Sequence, residues 1–192
     1  TKWYEANQPE KHTKAVFQDA KGTWRLTITE RKRILTTHIF GVDIDHQAVE
    51  VTKLSLLLKA LEGENDSSLT QQMKLFQERA LPNLSNNIKC GNSLIGPDYF
   101  TGKLFPDPEE LNRINPFDWK AEFSEVMKTG GFDCIIGNPP YIRIQTMKEW
   151  APREVEIYKE KYLSAQSGNY DIYVVFIEQG LKLLNNVGQL GY

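Results

Sequence analysis

Apolar residues along the chain fall into short runs that end in polar or turn-forming residues, a pattern typical of strands buried in a parallel sheet. Three such runs occupy residues 39–45, 88–94 and 132–137. After the first run, residues 46–62 carry apolar side chains at three- and four-residue spacing, which predicts a helix with one face against a sheet. The predicted face consists of Val51, Leu54, Leu58 and Leu61, flanked by Ala48 and Leu57. Strands and a helix in this arrangement favour an α/β fold.

The remaining chain is more polar and predicts a looser organisation. Residues 1–28 show little apolar periodicity, so we predict a polar arm or insertion there and a single domain over residues 29–192. We expect a short helix over 29–37 and a polar helical connection over 62–86 with a loop at 63–68. An irregular loop packed by aromatics is expected over 96–116, followed by a helix over 117–129 that Gly130-Gly131 ends. A last helix, capped by Asp171, is expected to run to about residue 184.

The third apolar run ends in a stiff turn, Asn138-Pro139-Pro140-Tyr141. The prolines cannot donate to a strand ladder, and they bias Asn138 toward an extended conformation. Because open α/β sheets bind ligands at the carboxyl ends of their strands, the Asn138 carboxamide and the Pro139 carbonyl would offer two acceptors there, beside the flat face of Tyr141. Two accepted hydrogen bonds would let the nitrogen of a planar amino group pyramidalise and attack a methyl donor. The alternative is a plain turn with Tyr141 half buried.

Polar side chains also follow the other two runs. Asp43 ends the first, where a carboxylate can take both ribose hydroxyls of a cofactor, and Asp45 is placed to cap the next helix. The alternative is that both are caps or turn residues. Asn92 and Ser93 follow the second run, and Asn92 is equally well interpreted as a loop residue without function.

Four segments in this order resemble motifs II, III, IV and V of a DNA adenine methyltransferase. They are Gly41-Val42-Asp43-Ile44-Asp45, Cys90-Gly91-Asn92-Ser93-Leu94, Asn138-Pro139-Pro140-Tyr141 and Tyr170-Asp171-Ile172-Tyr173. The chain resembles in particular the methylase part of Eco57I-like type II restriction-modification enzymes, over residues 26–192. This resemblance implies a Rossmann-like fold, S-adenosyl-L-methionine as cofactor, and methyl transfer to N6 of a flipped adenine on which Tyr141 stacks. It implies as catalytic residues Asn138, Pro139, Pro140 and Tyr141, and as cofactor-binding residues Asp43, Ile44, Asn92 and Ser93.

One part of the family pattern is missing, because no Gly-rich turn after a first strand precedes residue 39. We therefore expect an incomplete Rossmann-like fold that lacks its first strand and Gly-rich motif, an internal fragment of a longer protein. The exposed strand edges of such a fragment favour self-association. The resemblance implies that the parent also has a target-recognition domain and, in some members, an endonuclease.

Two other interpretations stay open. The same turn serves methyltransferases that act on a protein glutamine amide or an RNA guanine amino group, because those acceptors are also planar amino nitrogens. The fragment by itself would also be a catalytically inactive scaffold if too little of the cofactor pocket is present.

Charge and composition limit the partners. With 23 Lys and Arg against 25 Asp and Glu, the net charge is −2, which does not favour DNA binding by this chain alone. Double-stranded DNA is therefore expected as a partner through the full-length protein. Two basic clusters, Arg31-Lys32-Arg33 and Lys148, Arg153, Lys159 and Lys161, are interpreted as solvated helix faces, with phosphate contact as the alternative.

Cysteine usage and hydropathy indicate a cytoplasmic protein without a membrane partner. Cys90 and Cys134 lie at strand positions outside any metal-ligand spacing, so we expect buried free thiols in a reducing cytoplasm and no metal site. Neither cysteine follows a proline, which disfavours methylation of a cytosine ring carbon. No apolar stretch of twenty residues is present.

Overall fold

The structure, a computed structural model, describes residues 1–19, 21–62, 82–102, 105, 107–166 and 168–192. The chain has a mixed α/β architecture and divides into two packed units, Thr1–Lys89 and Cys90–Tyr192. The loop predicted at residues 63–68 and most of the connection predicted over 62–86 lie outside the described residues. The domain boundary predicted after residue 28 stays a prediction.

The first unit opens with elements that the polar pattern did not indicate. A short helix, α1 (Lys2–Ala6), and a 3₁₀ turn (Pro9–His12) precede an antiparallel hairpin of β1 (Val16–Gln18) and β2 (Trp24–Leu26). The Asp19 carboxylate accepts the N–H groups of Lys21 and Thr23, at 2.9 and 3.0 Å, and so closes the hairpin turn.

Side-chain caps set the next two helices. The Thr27 hydroxyl accepts the Glu30 N–H at 3.2 Å and starts α2 (Ile28–His38), while Asp45 accepts the Gln47 N–H at 2.8 Å and starts α3 (His46–Leu61). Both predicted helices and the Asp45 cap are confirmed. Between them lies β3 (Gly41–Asp43), which pairs with β4 (Ile88–Cys90).

The predicted buried face of α3 is wrong. Val51, Leu54 and Leu58 are 63%, 56% and 60% exposed, whereas Val49 and Ala60 are buried. The neighbours α2 and β3 pack against the face that carries Val49 and Ala60, so the more apolar stripe is left on the surface.

The second unit contains the largest core. Its elements are a 3₁₀ turn (Pro97–Phe100), α4 (Pro108–Ile114), α5 (Trp119–Glu122), α6 (Ser124–Lys128), β5 (Phe132–Ile136), α7 (Ile144–Trp150), α8 (Pro152–Lys161), a 3₁₀ turn (Leu163–Ala165), α9 (Tyr173–Leu183) and β6 (Leu184–Gly191). β5 and β6 run parallel. Side chains of α7, α8 and α9 form one buried apolar cluster with Leu94 and Ile95.

Three expectations for this unit need correction. The loop predicted over 96–116 contains α4, because Asp107 caps it and Pro108 occupies its first turn. The helix predicted over 117–129 is interrupted at Phe123, whose backbone leaves the helical region to bury its ring against Trp119 and Phe132. The last helix begins at Tyr173 without a side-chain cap from Asp171, although Gly130 and Gly131, both at positive φ, do end α6 as predicted.

The predicted burial of β5 is also wrong. Ile136 is 83% exposed, and Asp133 and Cys134 are exposed as well, because β6 pairs along one side of the strand and leaves much of its surface uncovered. Cys134 is therefore an exposed thiol, and Cys90 is half buried. Among the residues that the structure describes, no helix is long and apolar enough to cross a membrane.

Candidate active site

The turn Asn138-Pro139-Pro140-Tyr141 directly follows β5, and the β5–β6 pairing fixes where it begins. The Gly137 N–H donates to the Gly191 carbonyl at 3.1 Å, one residue beyond the strand. A side chain at Gly137 would collide with the Tyr192 ring, and the Tyr192 hydroxyl donates to the Phe176 carbonyl at 3.1 Å. Glycine before the turn thus lets the ring of Tyr192, the residue after β6, pack against the backbone.

The turn exposes some of the groups that would hold the amino group of a methyl acceptor. Pro139 is buried and anchors the turn, while Asn138 is exposed and Tyr141 is 73% exposed rather than half buried. Neither the Asn138 carboxamide nor the Pro139 carbonyl has a hydrogen-bond partner in the part of the chain that the structure describes. The Asn138 carboxamide is therefore available to a ligand, and the Pro139 carbonyl has no internal hydrogen bond that would compete with one.

The chain after the turn is tied to the fourth motif-like segment, Tyr170-Asp171-Ile172-Tyr173. The Ile172 N–H donates to the Ile142 carbonyl at 2.9 Å, and the Ile144 N–H donates to the Tyr170 carbonyl at 3.0 Å. Ile144 and Ile172 are both buried in the main apolar cluster. The structure thus brings two of the four segments together and attaches both to the core.

An aromatic contact completes this arrangement. The ring centroids of Tyr141 and Tyr173 lie 5.7 Å apart with an interplanar angle of 44°. Sequence reasoning did not identify Tyr173 or Tyr192 as neighbours of the turn. Tyr173 lies inside a motif-like segment, a signal that could have indicated it, whereas no local pattern marked Tyr192.

The tyrosines between these segments belong to the core. Tyr158 and Tyr162 are buried on α8 and just after it, and burial raises the pKa of both phenols. The Tyr162 hydroxyl donates to the Leu94 carbonyl at 2.7 Å. Tyr158 and Tyr162 therefore pack in the core of the second unit.

Asn92 and Ser93 lie at the end of β4 in the second unit, both half buried. The Asn92 side-chain oxygen accepts the Leu94 N–H at 3.0 Å, and the Ser93 carbonyl accepts the Trp119 indole N–H at 3.0 Å. Asn92 therefore closes a local turn, and its amide oxygen keeps one lone pair for another donor.

Asp43 and Ile44 lie at the end of β3 in the first unit. One Asp43 carboxylate oxygen accepts the Asp45 N–H at 2.8 Å, and the side chain is exposed. Ile44 is 55% exposed. An exposed carboxylate beside an exposed apolar side chain suits a ligand that joins hydroxyl groups to a flat ring, as a nucleoside does.

The two basic clusters serve internal contacts at several positions. Arg31 donates to the Ala60 and Glu62 carbonyls at the end of α3, at 3.1 and 2.6 Å. Arg33 bonds to Glu30 and lowers the pKa of that carboxyl. In the other cluster, Arg153 pairs with Glu110 at 2.6 Å and Lys161 pairs with Asp98. These four side chains hold the fold together, which leaves them less available to phosphate.

Comparison with known proteins identifies relatives over most of the chain. The family model described as Eco57I restriction-modification methylase matches residues 37–192. The type II restriction enzyme and methyltransferase RM.Eco57I of Escherichia coli is 36% identical over 91% of this chain and 16% of its own length. The putative type II restriction enzyme and methyltransferase RM.MjaORFECS2P of Methanocaldococcus jannaschii is 24% identical over 85% of this chain and 22% of its own length.

A third relative carries a more specific description. The adenine-specific methyltransferase PglX of Streptomyces coelicolor is 25% identical over 81% of this chain and 12% of its own length. The chain therefore spans less than a quarter of the length of each of these three proteins.

Proposed function

This chain belongs to the Eco57I restriction-modification methylase family, and we propose that it is the catalytic part of a DNA methyltransferase that modifies N6 of adenine. The observation that carries the proposal is the turn Asn138-Pro139-Pro140-Tyr141 after β5, where Asn138 and Tyr141 are exposed and neither acceptor is hydrogen-bonded to another described residue. The description of one relative as an adenine-specific methyltransferase supports the choice of base.

The proposed mechanism rests on hydrogen bonding and stacking. The Asn138 side-chain oxygen and the Pro139 carbonyl each accept one N–H of the adenine amino group. These bonds draw the nitrogen lone pair out of conjugation with the ring and aim it at the methyl group. Pro140 keeps the turn rigid, and Tyr141 stacks on the base. Because the amino group is inside the duplex in paired DNA, the nucleotide must be flipped out to reach this turn.

S-adenosyl-L-methionine is the proposed cofactor, and when bound it supplies an electrophilic methyl group. Asp43 offers one carboxylate oxygen beyond the bond to the Asp45 N–H, which fits the hydroxyls of a ribose. We propose that Ile44 packs on the cofactor adenine and that Asn92 and Ser93 contact its edge. In fold terms, the chain is proposed as part of an incomplete Rossmann-like methyltransferase fold.

Double-stranded DNA is the proposed substrate, bound through the full-length protein. The ion pairs of Arg153 and Lys161 agree with this, since they commit positive charge to internal contacts. An endonuclease in the same polypeptide is a further proposal from the family. Self-association of this part of the chain is a further proposal from strand edges that an incomplete sheet leaves exposed.

The test measures transfer of labelled methyl from S-adenosyl-L-methionine by the full-length protein that contains this chain, with unmethylated genomic DNA as acceptor. Nucleoside analysis of the digest is expected to find the label in N6-methyladenine. Label absent from DNA but present in protein or RNA would overturn the proposal in favour of a glutamine or guanine acceptor.

A variant of the same protein tests the catalytic turn. Asn138→Ala should slow transfer about a thousandfold, the size of effect seen when one preorganised hydrogen-bonding group is removed, with cofactor affinity changed less than about twofold. Asn186→Ala on β6 is the matched control, because that asparagine is also exposed; we expect it to transfer methyl at the wild-type rate. Normal transfer by Asn138→Ala would remove Asn138 from the mechanism.

A further inference from the structure

The exposed Tyr141 ring needs support if it is to stack on a base. A side chain that is 73% exposed moves freely between rotamers unless another group restricts it. Any productive orientation would then be paid for in conformational entropy at each binding event. A neighbouring ring that restricts Tyr141 before the base arrives would remove that cost.

Tyr173 is placed to give this support. Its ring lies 5.7 Å from that of Tyr141 at an interplanar angle of 44°, within the range for favourable aromatic pairs. Among the described residues, Tyr173 is the ring partner that the structure gives Tyr141. The backbone of Tyr173 is itself fixed, because it opens α9 directly after Ile172, which is hydrogen-bonded to Ile142 and buried in the core.

We propose that Tyr173 is a positioning residue that holds the Tyr141 ring in the orientation that stacks on the acceptor base. This inference rests on the proposed function and deepens it. In this proposal the Tyr173 ring contacts the Tyr141 ring on one side, and the base stacks on the other side of Tyr141. No hydrogen bond of the Tyr173 hydroxyl is found among the described residues, so the ring carries the effect and phenylalanine should replace it.

A double-mutant cycle in the full-length protein tests the proposal. Single-turnover methyl transfer to DNA is measured for wild type, Tyr141→Ala, Tyr173→Ala and the double variant, together with DNA and cofactor affinities. We expect Tyr141→Ala to slow transfer roughly tenfold to a hundredfold, in line with base–aromatic stacking, and Tyr173→Ala to slow it roughly three- to tenfold. The double variant should be no slower than Tyr141→Ala, because Tyr173 acts through Tyr141.

Two further variants separate positioning from a structural role. Tyr173→Phe should transfer methyl within about twofold of wild type. Leu181→Ala, an exposed truncation on the same helix, should also leave the rate within about twofold. If thermal denaturation shows that Tyr173→Ala is not folded, Tyr173→Leu takes its place in the cycle, since leucine keeps the bulk of the side chain and removes the aromatic face.

The outcomes distinguish the two proposals. The positioning role is overturned if the rate losses of the two single variants multiply in the double variant. It is also overturned if Tyr173→Phe transfers methyl as slowly as Tyr173→Ala. In both cases the proposed function stands. A wild-type protein that labels RNA or protein and leaves DNA unlabelled overturns the proposed function, and the same cycle is then measured on that acceptor. Absence of transfer to any acceptor overturns both.

Discussion

The two units of the chain support their proposed site residues in different ways. In the second unit, the chain just after the turn at Asn138 is hydrogen-bonded to the segment that contains Ile172. Ile144 and Ile172 are both buried in a cluster to which three helices contribute. In the first unit, Asp43 ends a three-residue strand and its carboxylate is held by a hydrogen bond to a neighbouring N–H. The proposed catalytic turn therefore depends on long-range packing, whereas the carboxylate of Asp43, proposed for the cofactor, depends on local backbone geometry.

The two units also differ in how far their apolar side chains are buried. The main cluster of buried apolar side chains lies entirely within the second unit. In the first unit, the described apolar stripe of α3 is exposed at Val51, Leu54 and Leu58. Apolar side chains in the two units are therefore expected to contribute differently to the free energy of unfolding.

The largest expected effect is a loss of stability from truncating a buried apolar residue of the second unit, compared with an exposed one of the first. Ile95→Ala removes a fully buried side chain from the second unit and should lower the free energy of unfolding by about 3 kcal/mol. Leu54→Ala on the exposed stripe should lower it by less than about 0.5 kcal/mol. Urea denaturation of the 192-residue chain measures both, and equal losses would show that the stripe of α3 is covered in solution.

A smaller effect is expected from the Asp43 carboxylate. Asp43→Asn keeps an acceptor for the Asp45 N–H but removes the charge, so cofactor dissociation constants should rise about tenfold to thirtyfold, or about 2 kcal/mol. Asp45→Ala is the matched control in the full-length protein. It should lower helix stability by about 1 kcal/mol through loss of the cap and leave cofactor affinity unchanged. Isothermal titration measures the affinities, and an unchanged constant for Asp43→Asn would exclude Asp43 from the site.

The smallest effect is a pH-dependent one from Glu178 on α9. Burial disfavours its charged form, but the Lys182 ammonium and the N–H groups of Ser164 and Leu163 together outweigh burial and lower its pKa to about 2. Since the folded pKa is below the unfolded value, this stabilisation is present above about pH 4.5 and is lost as the pH falls toward 2. Glu178→Gln should cost about 1 kcal/mol at pH 7.

The measurement for Glu178 is urea denaturation of wild type and Glu178→Gln between pH 7 and pH 3. The difference between them should shrink as the pH falls below 4.5. A difference that stays constant over this range would show that the carboxylate charge does not hold the turn at Leu163–Ala165 to α9.

Local signals predicted the parts of the fold that depend on neighbours in sequence. β5 ends at Ile136 shortly before the double proline, Asp45 caps α3, and Gly130-Gly131 ends α6, all as predicted. Two local signals were present but missed: Asp107-Pro108 starts α4, and Asp19 closes the β1–β2 hairpin. These features follow from steric limits and hydrogen bonds over a few residues.

Burial could not be predicted in the same way. The periodicity of α3 indicated its apolar face correctly, yet α2 and β3 cover the other face. The apolar run of β5 predicted a buried strand, yet Cys134 and Ile136 are exposed beside β6. Which side of an element is covered depends on partners distant in sequence, and periodicity carries no information about them.

By itself, the sequence of this protein determined the four motif-like segments, the stiff turn at Asn138 and the ends of most elements, because covalent geometry and short-range hydrogen bonds decide these. Only the tertiary structure placed Tyr173 against Tyr141, Tyr192 beneath Gly137, and Ile144 beside Tyr170. Those contacts join residues more than twenty-five positions apart, so they form only when the core of the second unit packs.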